Sequence, residues 1–73
     1  MLKEKTMSVA RVTEITASSS KSFEDAIQSG LSRAAKTLRG ITGLEVLTLK
    51  AKVSKSKIEE YRVTLKVTFI LED

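Results

Sequence analysis

Apolar residues recur along this chain at two different periods, and each change of period marks an element. Val9, Arg11, Thr13 and Ile15 alternate with Ala10, Val12, Glu14 and Thr16. β-Branched residues at a period of two predict a strand over residues 8–16. The stretch ASSSKS then breaks the alternation. Its hydroxyls can accept hydrogen bonds from nearby backbone amides and start a helix. Ser22 followed by Asp25 resembles a capping box with Asp in place of Glu. Ser19 or Ser20 would cap equally well. From there Phe23, Ala26, Ile27, Gly30, Leu31, Ala34, Ala35 and Leu38 repeat at the helical spacing and form one apolar stripe. Acids lie early and bases late, as the helix dipole prefers. Gly30 sits on the stripe, where it lets another backbone approach closely. Gly40 suits the left-handed residue that closes a helix.

Period two then returns twice. Leu47, Leu49, Ala51 and Val53 share one face between residues 44 and 53. The segment SKSK turns the chain without the Asn-Gly signal of a tight hairpin. In the last strand Tyr61, Val63, Leu65, Val67, Phe69 and Leu71 point one way, and Arg62, Thr64, Lys66 and Thr68 the other. Such alternation predicts a sheet with one apolar and one polar face. The fold class is α+β, in the order β-α-β-β: a three-stranded antiparallel sheet wrapped around one long helix. Residues 7–73 form a single domain. Residues 1–6 form a flexible N-terminal extension, and Met7 can serve as the start as well as Met1.

Size narrows the function. At 73 residues a domain buries only about 60% of the surface its unfolded chain exposes. The chain has no Cys and no His, so disulfides and the common zinc constellations are excluded. Self-association is the remaining remedy. No apolar run approaches the roughly 20 residues of a membrane span. The N-terminus lacks the apolar core of a signal peptide, so a cytoplasmic protein without membrane partners is expected.

Candidate chemistry is sparse. A serine nucleophile has no histidine to serve it. The acid pairs Glu24–Asp25, Glu59–Glu60 and Glu72–Asp73 are sequence neighbours that do not converge on one substrate atom, so no enzyme is expected. The net charge of +4 favours anions weakly, with a local excess at Lys50, Lys52, Lys55 and Lys57. Gly40-Ile41-Thr42-Gly43 matches a GxxG nucleic-acid clamp, which needs a helix on both sides. A strand follows here, and no aromatic lies on the polar strand face for base stacking.

Over Val9 to Glu72, and above all in VARVTEITASSSKSFEDAI, SRAAKTLRG and EYRVTLKVTFILED, the chain resembles the dodecins. That resemblance implies twelve copies closed into a hollow homo-oligomeric shell. It also implies flavin (riboflavin, FMN or FAD) bound in pairs at subunit contacts, for storage and quenching. In that family each ring stacks on a tryptophan at the start of the second strand, and a glutamine on the third strand bonds to its polar edge. Aligned without a gap, the tryptophan position is Gly43 and the glutamine position is Arg62. The candidate cofactor-binding positions are therefore Gly43, Leu44, Glu45 and Arg62. Aromatic stacking contributes roughly 1–3 kcal/mol per ring; its loss on both sides of a stacked pair weakens binding by about two to four decades.

Two readings stay open. In one, the shell still binds a flavin or another flat anion, with Arg62 stacking on the ring or meeting a phosphate. In the other, the site is gone, and Arg62 pairs with an acid such as Glu45 across the strands. That shell is structural or carries a small anion or a metal. A nucleotide or nucleic-acid binding module is the third alternative.

Overall fold

The computed structural model of this chain describes residues 9–71; the expected N-terminal extension lies outside them. Four elements follow in order: strand β1 (Ala10–Ser19), helix α1 (Phe23–Ala34), strand β2 (Ile41–Ser54) and strand β3 (Lys57–Ile70). The sheet order is β1-β3-β2, with both pairings antiparallel. The last strand thus lies in the centre, and the outer edges of β1 and β2 are free.

β1 runs three residues past the expected break, because Ala17 and Ser19 continue the alternation opposite Val63 and Tyr61. Ser22 is the helix cap: its hydroxyl accepts from the Asp25 amide at 2.9 Å. Ser19 does a different task. Its Oγ accepts from the Lys21 amide at 2.9 Å and donates to Asp25 Oδ2 at 2.6 Å, which ties the end of β1 to the first turn of α1.

The helix ends at Ala34, one turn before its apolar stripe does. The Lys36 and Thr37 amides donate to carbonyls three residues back, at 3.2 and 3.1 Å, so the chain tightens there. Leu38 still packs against the core from this tightened turn. Gly40 has a left-handed φ of 73°, as expected, but it does not cap the helix. Its carbonyl accepts from the Ile70 amide at 2.9 Å, and it steers the chain into β2.

Ala26, Val63, Leu65 and Val67 are fully buried and form the centre of the core. Ile15, Ala17, Phe23, Ile27, Leu38, Ile41 and Leu44 pack around them. Phe23 meets Tyr61 edge to face, with ring centroids 5.0 Å apart. The helix presents Ala26, Gly30 and Ala34 to the sheet. A Cβ on Gly30 would lie 3.0 Å from Leu65 Cδ1 and 3.1 Å from Ala17 Cβ. Close side chains of two strands, rather than another backbone, explain this glycine.

Cover is short. The 12 residues of α1 span about 18 Å, whereas the 14 residues of β3 span about 46 Å. α1 packs mainly on β1 and β3, so the apolar residues of β2 from Val46 onward are left largely exposed. A register shift leaves Leu47 as an extra residue between Val46 and Thr48. Leu47 therefore drops out of the face it was expected to share. Leu49 and Ala51 stand opposite Val63 and Tyr61 on the helix side, and Val46 stands opposite Leu65. The turn at Lys55 and Ser56 has φ values of 53° and 64°. A two-residue hairpin turn with both central residues left-handed is of type I′.

Two substitutions test this account. Gly30→Leu forces side chain into filled space and should cost about 1–3 kcal/mol in chemical denaturation. Gly40→Ala should cost about 1–2 kcal/mol, since a left-handed φ is strained for any residue with a Cβ.

Candidate functional site

Cross-strand register sorts the sheet into rows, since directly opposed residues share a face. The face away from α1 carries Ser18, Arg62 and Lys50 in one row, then Thr16, Thr64 and Thr48. The next rows are Glu14, Lys66 and Glu45, and Val12, Thr68 and Gly43. Hydroxyls and both signs of charge dominate this face. Its central cation, Lys66, stands between carboxylate residues on both neighbouring strands.

The four candidate positions fall into three places. Gly43 and Glu45 lie on the polar face, near the start of β2. Leu44 turns to the other face and packs against the core. Arg62 shares the polar face but pairs in register with Lys50. Gly43 pairs with Thr68, six residues from Arg62, which is about 20 Å along an extended strand. One small ligand therefore cannot touch positions 43 and 62 of the same protomer. A site built from both needs two copies of the chain.

Arg62 does not pair with Glu45, which is opposite Lys66. Its Nε donates instead to Glu60 Oε1, at 2.9 Å, two residues back on the same strand and face. The reason is register: Lys50, a like charge, occupies the cross-strand position. The other ion pair among the described residues joins Lys52 Nζ to Glu59 Oε1 at 3.6 Å. Both pairs are largely exposed, and such pairs contribute little to stability. The period-two pattern alone contained the Arg62–Glu60 pair, since residues two apart on a strand share a face.

Gly43 needs no special backbone. It has no left-handed φ, and a Cβ there would meet nothing within 4 Å. The polar face is open immediately above it. A flavin at position 43 would meet no aromatic wall there, and could reach Arg62 only from another copy of the chain. Phe23, Tyr61 and Phe69 are the aromatic residues of the chain. Phe23 packs on the core and against Tyr61, which shares the helix side with Phe69. The residues would fit a flavin only in part: Gly43 presents no obstruction to a ring and nothing that would grip it. Among the described residues no group of three or more acidic, His or Cys side chains could hold a metal ion. No helix among them is long and apolar enough to cross a membrane.

Known proteins share this architecture. The family model for dodecin matches residues 9–72. A dodecin of Thermus thermophilus is 37% identical over 65 residues, covering 89% of this chain and 94% of that protein. The solved structure of the tt0972 protein from the same organism superimposes with a TM-score of 0.87 at 36% identity, over 92% of this chain and 98% of that one. A dodecin from Streptomyces davaonensis gives 0.86 at 32% identity, over 90% and 97%. A calcium-chelating antigen of Mycobacterium tuberculosis, calcium dodecin, gives 0.76 at 29%, over 88% and 91%. With a family match across nearly the whole chain and a relative 37% identical over most of its length, this chain belongs to the dodecin family.

Proposed function

We propose that twelve copies of this chain close into a cytoplasmic shell. It holds a small planar ligand of the flavin class without turning it over. The observation that carries assembly is the bare arm formed by β2 and the start of β3. Leu49, Val53 and Ile58 are each more than half exposed. A protomer that leaves such side chains in water gains by burying them against another copy. Family membership supports the copy number and the ligand class. The absence of any His and Cys, together with the lack of converging acids among the described residues, supports a binding role over a catalytic one.

Ligand binding is weaker here than in a dodecin with an aromatic at position 43. The second reading is a shell without flavin, and the lack of an aromatic at position 43 is what favours it. The M. tuberculosis relative is described as calcium-chelating. A calcium role in this chain would need carboxylates from several copies at once, because the described residues of one protomer bring no cluster together.

Light scattering should find a particle of about twelve times 8.0 kDa; a folded single chain at micromolar concentration refutes the shell. Flavin titrated into that particle should lose fluorescence with a weak dissociation constant. The double variant Gly43→Trp with Arg62→Gln should bind at least tenfold more tightly, a gain of about 1.4 kcal/mol. No quenching by the parent, with strong quenching by the assembled double variant, selects the flavin-free reading. No gain in an assembled double variant means that positions 43 and 62 do not face the ligand.

A further inference from the structure

Arg62 is the candidate ligand contact on β3, and its charge is already met. Its Nε donates to Glu60 Oε1 at 2.9 Å. Glu60 is available because its cross-strand neighbour turns elsewhere. Lys52 stands opposite Glu60 in register, yet its Nζ reaches Glu59 at 3.6 Å, just before the pairing of β2 slips between Lys52 and Val53. The Glu60 side chain is also the more covered of its pair, at 31% exposure against 54% for Arg62. A pair so placed adds little to stability, but it decides what Arg62 presents. The Nε edge is taken, the charge is balanced, and the terminal nitrogens remain as planar donors.

The surroundings carry a similar balance. Beside the pair lies an open polar cavity of about 300 Å³, lined by Ser18, Ser19, Ser20, Lys52, Glu59 and Glu60. Ser19 is engaged with Lys21 and Asp25, whereas Ser18 and Ser20 are exposed. The walls thus offer hydroxyls, two carboxylates and one ammonium. A hydroxyl-rich chain can exchange hydrogen bonds with all of these. A phosphate group, with a charge of about −1.5 to −2, meets more acid than base there. Lys50, opposite Arg62, is a cation without an acid partner among the described residues.

We propose that Glu60 is a positioning residue that sets which flavin this chain takes. By holding Arg62 through Nε, it leaves the terminal N–H groups for the uncharged polar edge of the ring and withholds the cation from a phosphate tail. The chain then does not select the phosphorylated flavins over riboflavin. This inference rests on the flavin reading above and deepens it at position 62. Removing the carboxylate would release the charge. Attraction across about 7 Å of water changes affinity roughly threefold per unit charge, and more where water is excluded.

Fluorescence titrations of the intact particle test this, with riboflavin and FMN as probes, on the parent, Glu60→Gln and Glu14→Gln. Glu14→Gln removes the same charge from the same face, in the row of Lys66, about 13 Å along the strand from Arg62. The parent should bind the two flavins within about tenfold of each other. Glu60→Gln should shift the ratio toward FMN by about three- to tenfold in about 0.1 M salt. Most of that shift should vanish in about 1 M salt, where the screening length falls from about 10 to 3 Å. Glu14→Gln should keep the parent's ratio within about twofold. A parent that prefers FMN by more than about tenfold, a Glu60→Gln ratio equal to the parent's, or an equal shift in Glu14→Gln each overturns the role of Glu60 while flavin binding stands. An intact particle that quenches neither flavin, in the parent and in Glu60→Gln alike, overturns the flavin reading and this inference with it.

Discussion

The seating of Ala26, Gly30 and Ala34 on Val63, Leu65 and Val67 is the contact on which the rest of this protomer depends. Small residues at helical spacing bring α1 close to the sheet. The three largest fully buried side chains all come from β3. That strand reaches the centre only by passing between β1 and β2, so the last segment of the chain unites the earlier ones. Both strand pairings and the core share one run of alternating residues. Moving β3 by one position would put Arg62, Thr64 and Lys66 under the helix.

The same contact explains what the protomer lacks. A seam three helical turns long covers only the middle of a sheet made from much longer strands. The apolar residues of β2 beyond it keep the same alternation and have no cover within their own chain. The chain therefore carries part of a core that it does not enclose, and its elongated form, 60 × 20 × 15 Å, reflects this. A radius of gyration of 15.8 Å compares with about 11 Å for a compact domain of this length.

Much of this was legible in the residues. The order β-α-β-β, the cap at Ser22, the apolar stripe and the two faces of β3 all follow from period and local chemistry. What escaped depends on neighbours distant in sequence. The serines of ASSSKS look like a loop, yet Ser19 is held in β1 by Tyr61 opposite it and by Asp25. Leu38 fits the helical stripe, yet it reaches the core from a tightened turn. The slip at Leu47 is set by pairing with β3, which an isolated strand pattern cannot show. The candidate site divides in the same way. The open position 43 and the missing aromatic are visible in the sequence, whereas the partner of Arg62 required the register, which places Lys50 where an acid was expected.

The tip of the arm has one further implication. Lys55 and Ser56 adopt a left-handed backbone that neither residue favours, and no glycine or asparagine eases the bend. Local preference thus opposes the turn, and the ladder between β2 and β3 must hold it closed. Released from the ladder, the tip has no reason to keep its shape. Order in this part of the molecule is inherited from strand pairing, and it should be the first part of the hairpin to fray.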